Sequence, residues 1–264
     1  MNIETIIEGL RFPEGPCLAP DGSLWFVELK GEGLGRLDLA TGQWKSILTG
    51  GAPNGIAIDA QGRVWFCDAE KCAIRRHDPA TGETVVVADT IDGQPLFKPN
   101  DLAFDAAGNL LFTCPGDSRT VPTGYVVCLS PEGQLTKIAE NLYFPNGLVF
   151  VNGGRDLIVA ETYKQRLWSG VWNPSTRKWS QPHLWADQVV GAPGPDGMAL
   201  ASDGRLYVAV YGSGQIKVFD KQGRQTSAID LPGKNPTNCC FGPGLHPSLY
   251  VTEAEKGLLL KVVL

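Results

Sequence analysis

Glutamate, asparagine and aspartate recur inside a short phrase that returns six times along the chain: Pro13-Glu14-Gly15, Pro53-Asn54-Gly55, Pro99-Asn100-Asp101, Pro145-Asn146-Gly147, Pro195-Asp196-Gly197 and, more loosely, Pro236-Thr237-Asn238. The second residues of the first five all carry a side-chain oxygen, and Asn238 keeps an oxygen donor available in the sixth. Oxygens gathered from distant points of a chain suit a hard cation, because Ca²⁺, Mg²⁺ and Mn²⁺ are held by carboxylates and amide carbonyls. Glu14 and Asp196 together would neutralise a divalent ion. Pro-Asn-Gly and Pro-Asp-Gly are also good turn sequences. Glutamate is not a turn former, however, and a carboxylate in a crowded channel needs a partner to offset its desolvation. The column therefore predicts a metal site whose residues also serve as turn formers.

Other chemistries find little support. The chain has three histidines: His77 and His246 fall in hairpin or turn contexts, and His183 falls in an outer strand segment. None is near the column, so a Ser-His-Asp or Cys-His nucleophile is not expected, and the G-x-S-x-G elbow is missing. Tyr211-Gly212-Ser213-Gly214 lacks phosphate-loop spacing and reads as a turn. Any catalysis must then draw its electrophile from the metal. The seven cysteines show no C-x-x-C spacing, which argues against a zinc ribbon or a disulfide framework; within apolar runs such as Leu110-Leu111-Phe112-Thr113-Cys114 they read as buried free thiols.

The elements that must position the column repeat with it. After each phrase come an apolar run, a turn and a second strand, such as Ser23-Leu24-Trp25-Phe26-Val27 or Arg205-Leu206-Tyr207-Val208-Ala209. A third segment ends in a polar hairpin, as at Asp38-Leu39-Ala40-Thr41-Gly42, and a fourth follows before the phrase returns. Positions 14, 54, 100, 146, 196 and 238 lie 40, 46, 46, 50 and 42 residues apart. Four strands in a period of this size predict an all-β, six-bladed β-propeller of antiparallel sheets, forming one domain over residues 1–264. Glu4 to Gly9 fits the fourth-strand pattern, so the N-terminal strand is expected to complete the last blade and close the ring. In such a ring the inner strands start at one mouth of the channel, where the longest second-to-third strand connection, Pro115 to Gly124, also emerges.

The composition narrows the partners. With a net charge of −5 and scattered basic residues, the chain lacks the footprint of a nucleic-acid binder. No stretch approaches the roughly 20 apolar residues of a membrane span, and two glutamates sit where a signal peptide would be basic and then apolar. The expectation is a cytoplasmic protein without membrane or nucleic-acid partners; oligomeric state is not legible.

The stretches Phe12-Pro13-Glu14-Gly15-Pro16, Pro99-Asn100-Asp101-Leu102, Phe144-Pro145-Asn146-Gly147-Leu148, Gly194-Pro195-Asp196-Gly197-Met198 and Leu249-Tyr250-Val251-Thr252-Glu253-Ala254 together resemble the gluconolactonase, regucalcin (senescence marker protein) and luciferin-regenerating enzyme family over the whole chain. The resemblance implies a divalent metal, Ca²⁺ first and Mn²⁺, Mg²⁺, Zn²⁺ or Fe²⁺ as alternatives, on Glu14, Asn146 and Asp196, with Asn100 contacting metal or substrate. It implies hydrolysis of small sugar-acid lactones, with related propellers acting on organophosphates and others binding calcium in regulatory roles. Two positions depart from the family pattern: Cys114 stands where many members carry aspartate, and Lys98 where some carry arginine, which forfeits a planar bidentate fork. Lys98, Asp101, Cys114, Arg119 and Tyr143 are the further substrate-contact candidates, and Glu28, Glu161 and Tyr211 are expected at the same mouth. The implied mechanism has the metal polarise the lactone carbonyl, with Asp196 or a metal-activated water as base.

Overall fold

The computed structural model describes residues 2–244 and 248–264; His246 lies outside the described residues. The strands form six four-stranded antiparallel sheets, plus one small hairpin that pairs Thr90–Ile91 with Gln94–Pro95. Each sheet is a blade. The inner strands are Pro13–Leu18, Pro53–Ile58, Leu102–Phe104, Pro145–Val151, Gly194–Leu200 and Pro236–Phe241, numbered here as blades 1 to 6. Each inner strand contacts the inner strands of the blades before and after it, and blade 6 contacts blade 1, so the ring closes. Closure is sealed by the N-terminal strand Asn2–Ile7, which pairs antiparallel with Leu258–Val263 from Asn2↔Val263 to Ile7↔Leu259, with one shift of register between Thr5 and Ile7. The expected six-bladed propeller is thus the observed fold. Among the described residues no helix is long and apolar enough to cross a membrane.

Burial falls off outward along each blade. The second strand of blade 1, Ser23–Glu28, is buried throughout, whereas its fourth strand, Trp44–Leu48, is mostly exposed. Bulky and β-branched side chains therefore collect where blade faces meet. Six apolar clusters result, one at each junction between blades; Phe112, Leu110 and Val127 of blade 3, for example, meet Ile74 and Cys67 of blade 2. Each fully buried side chain of this kind contributes roughly 1.5–3 kcal/mol, so the driving force is distributed around the ring and the axis is left to polar groups.

Five of the six inner strands are irregular at their first residues. The pairing slips between Glu14 and Cys17, Pro53 and Ile56, Pro145 and Leu148, Pro195 and Met198, and Pro236 and Asn238. Such β-bulges re-aim side chains, and here they fall on the repeated phrase.

Candidate active site

The phrase residues meet at the axis. Glu14, Asn54, Asn100, Asn146 and Asp196 line one cavity of about 340 Å³. A second cavity, of about 400 Å³, lies on the other side of the ring and is lined by Asp101 and Asn238 among others. Two larger grooves, about 690 and 620 Å³, follow the outer hairpins and contain none of the ring residues. The floor of the 340 Å³ cavity is therefore the polar centre of the molecule.

Two tiers make up this centre. The upper tier holds the second residues of the first five phrases. In blade 6 Pro236 pairs with Glu253, as Pro13 pairs with Glu28 and Pro145 with Glu161, so the second place there belongs to Thr237. Asn238, expected in the upper column, instead occupies the third place, level with Asp101. The third place is glycine in the other four blades, and two of those glycines make room for this lower tier. A Cβ on Gly55 would stand 2.3 Å from Asp101 Oδ1, and one on Gly197 would stand 1.9 Å from the Asn238 amide carbon. The Asn238 amide reaches Asp101 Oδ2 at 3.4 Å.

Both carboxylate-bearing strands are pinned by buried threonines. Thr237 Oγ1 donates to the carbonyl of Pro13 at 2.9 Å, and Thr162 Oγ1 donates to that of Pro195 at 2.8 Å. Asn100 is fixed through its backbone, accepting from Gly55 N–H at 2.6 Å and donating to Thr113 at 2.9 Å.

The approach to each phrase is held by a repeated device at the end of the second strand. In four blades a buried carboxylate accepts a backbone N–H from the residue one or two before the proline. The pairs are Glu28 with Arg11 N at 2.8 Å, Asp68 with Ala52 N at 3.0 Å, Glu161 with Tyr143 N at 2.7 Å, and Glu253 with Asn235 N at 2.9 Å. In blade 3 the corresponding strand ends in Cys114, and the phenol of Tyr125 accepts the equivalent N–H, that of Phe97, at 2.9 Å. In blade 5 Pro195 pairs with Val210, and the residue two before the phrase is Pro193, which has no N–H to satisfy. Glu28 and Glu161 thus serve the backbone.

Several expected substrate contacts are relocated by this geometry. Cys114 does not line the cavity; it lies in the apolar junction of blades 2 and 3, where burial pushes its thiol up to about 12. Lys98 is turned to the rim, its Nζ shared between the Asp117 oxygens at 3.0 and 3.2 Å. Tyr143 lies outside the cavity with Lys164 Nζ 3.9 Å above its ring. Asp101 is one tier below the cavity floor. Arg119 and Tyr211 do line the cavity. Phe12, Phe144, Tyr163 and Thr162 line it as well; residue type alone does not mark them, although the repeated Phe-Pro of Phe12-Pro13 and Phe144-Pro145 is a signal for two of them.

The electrostatics of the centre are those of crowded acids. Burial, reinforced by the charge of Asp101, raises the Glu14 carboxyl to about 8 against the opposing pull of the Gly15 N–H and the Asn238 amide. Burial raises Asp101 to about 7. Asp196 is raised well above the ordinary carboxylate range, first by burial and then by the charges of Glu14 and Asp101, while the Asn146 amide and Gly197 N–H oppose the rise. Among the described residues no group of three or more His, Cys, Asp and Glu is arranged to hold a metal, so any cation must also draw on amide oxygens. The residues fit that requirement. Asn54 is buried, and its Oδ1 has no hydrogen-bond donor, an uncompensated acceptor of the kind that a cation or a substrate donor relieves. Two carboxylates and up to three amide oxygens form an all-oxygen set suited to a hard divalent ion.

Comparison with known proteins follows the same lines. Residues 12–255 match the family model described as the SMP-30/Gluconolactonase/LRE-like region. A diisopropyl-fluorophosphatase of Loligo vulgaris is 30% identical across 97% of this chain and 90% of its own length. A gluconolactonase of Zymomonas mobilis is 30% identical across 72% of this chain and 57% of its own. Among solved structures, a gluconolactonase of Xanthomonas campestris superposes with a TM-score of 0.87 at 25% identity, covering 98% of this chain and 88% of its own. The chain belongs to the SMP-30/Gluconolactonase/LRE-like family.

Proposed function

We propose that the protein is a metal-dependent lactone hydrolase acting in the 340 Å³ cavity. The observation that carries this reading is the ring itself: buried Glu14 and Asp196 beside Asn54, Asn146 and half-buried Asn100, with no lysine or arginine among the described residues paired to either acid. Glu14, Asn146 and Asp196 would hold a divalent ion, Ca²⁺ foremost, with Asn100 turned to ion or substrate. Such an ion would supply Lewis-acid polarisation of the lactone carbonyl. Asp196 is our candidate base: with the ion in place its pKa falls, so the base would be an Asp196 oxygen left free of the ion, or a water activated by the ion, while the Gly197 N–H and the Asn146 amide hold the carboxylate in place. Water oxygen then bonds to the carbonyl carbon, the ring C–O bond breaks, and the ring oxygen leaves with a proton, giving a hydroxy acid.

The test is turnover of a lactone panel by the purified protein, followed with a pH indicator, with and without chelator. Chelator-sensitive hydrolysis is expected; none on any lactone sinks the proposal. Asp196→Asn separates base from ligand: near-normal turnover with the cation still bound would eliminate Asp196 as base. A second reading, hydrolysis of phosphotriesters and related organophosphates on the same floor, is favoured by the diisopropyl-fluorophosphatase relative of Loligo vulgaris and belongs in the same panel.

A further inference from the structure

The walls of the cavity differ in character from its floor. Above the ring stand Phe12, Leu29, Phe144, Tyr163, Pro193 and Tyr211. Phe12 and Phe144 each precede a phrase proline and both hold φ at +59°, a conformation that bulky residues rarely adopt. Lys98, before Pro99, holds the same region at +49°, so this backbone belongs to the repeated phrase, and in blades 1 and 4 it carries a phenylalanine of the cavity wall.

Among the described residues that line the cavity, Arg119 is the one cation. Its guanidinium lies 5.8 Å from the ring of Phe144 and 5.9 Å from that of Tyr163, and these two rings are 5.4 Å apart. Among the described residues no carboxylate pairs with it. Its loop is fixed: Ser118, fully buried, donates to the Pro115 carbonyl at 2.6 Å and accepts the Phe144 N–H at 2.9 Å. The same serine thus positions Arg119 and the aromatic ring beneath it. A stacked guanidinium keeps its in-plane N–H groups free for a bidentate carboxylate.

From this wall we infer, on the basis of the lactonase reading above, that the site takes lactones with a flat apolar body and an anionic substituent, and that Arg119 grips the anion. Polyhydroxylated sugar lactones need a hydrogen-bonding partner for each hydroxyl they bury. The wall offers few: Thr162 is committed to Pro195, which leaves the two phenols and Arg119. An apolar ring packs against Phe12, Phe144 and Pro193 while its carbonyl reaches the oxygen ring below, and a carboxylate at its far edge meets Arg119.

The experiment compares kcat/KM for a benzo-fused six-membered lactone bearing a carboxylate, for its methyl ester and for glucono-1,5-lactone, using the cation-loaded protein and the variants Arg119→Met and Arg119→Lys. The carboxylated lactone is expected to lead both others by about tenfold or more, in keeping with a charge-assisted contact. Arg119→Met should lose that lead through KM, the carboxylate's kcat/KM falling by about tenfold more than the methyl ester's, and Arg119→Lys should restore the lead in part. Faster turnover of glucono-1,5-lactone than of both benzo-fused compounds overturns the inference and leaves the lactonase reading standing. Equal rates for carboxylate and ester, or a lead unaffected by Arg119→Met, overturn the role of Arg119. Absence of chelator-sensitive hydrolysis of all three overturns the lactonase reading and this inference with it.

Discussion

Removing the cation should make the protein's stability depend on pH in an unusual direction. Carboxylates that titrate below their ordinary range lose stability in acid; those at the axis are raised, so their contribution is present at low pH and lost as pH climbs through the folded-state value. Glu14 moves from 4.5 to about 8. At ~1.36 kcal/mol per pH unit, ionising it in the fold costs about 5 kcal/mol more than in the unfolded chain. Asp101, raised from 3.8 to about 7, adds a cost of the same order, and both groups are buried enough that solvent screening gives little relief. For a chain of this size ~1 kcal/mol shifts Tm by roughly 2–4 °C. Between pH 5 and 8.5 the chelated protein should therefore lose about 10 °C or more. A divalent ion offsets the crowded charge and binds only the ionised acids, so its stabilisation should be small at pH 5 and about 4 kcal/mol or more at pH 8, given an ion concentration near a thousandfold above Kd. Thermal melts across this window, with chelator and with Ca²⁺, measure both limbs. A chelated Tm that is flat or rising with pH, or a cation increment larger at pH 5 than at pH 8, refutes the reasoning. Glu14→Gln is the control: it should flatten much of the chelated profile and remove much of the cation increment.

Two further predictions address residues with less obvious roles. Asn54→Ala deletes the unpartnered buried oxygen and should weaken cation binding by about tenfold in calorimetry, the loss expected for one contact to a charged group; unchanged affinity would assign Asn54 to the wall instead. Tyr125→Phe orphans the Phe97 N–H and should cost about 1 kcal/mol, with a Tm drop of roughly 2–4 °C. Adding Cys114→Asp to Tyr125→Phe supplies the acceptor used in blade 2 and should recover at least half of the drop, whereas a double variant less stable than Tyr125→Phe would show that the phenol does not stand in for a carboxylate.

The substitution of Tyr125 for a carboxylate also shows which parts of this molecule are legible in its sequence. Periodicity is a property of the whole chain, so the spacing of the phrases carried the blade count, the four strands per blade and the closing role of the N-terminal segment. Register is finer. At Pro236-Thr237-Asn238 a search for oxygen donors favours Asn238, but strand pairing counts from the proline and places Thr237 beside Glu14, where its hydroxyl supports the Pro13 carbonyl. Proximity along the chain is a poor guide to direction across a bulge. Lys98, Phe12 and Phe144 all precede a phrase proline with left-handed backbone, yet Lys98 turns to Asp117 while the two phenylalanines line the cavity, and Tyr143, one residue further from its proline, lies beneath Lys164. Cys114 looks like a lost aspartate when the blade is read alone. Compensation arrives from Tyr125 on the next strand, as the missing acceptor of blade 5 is matched by Pro193, which has no hydrogen to offer. These exchanges conserve a hydrogen-bond balance rather than a residue, so they become visible only when donors and acceptors are counted blade by blade in three dimensions.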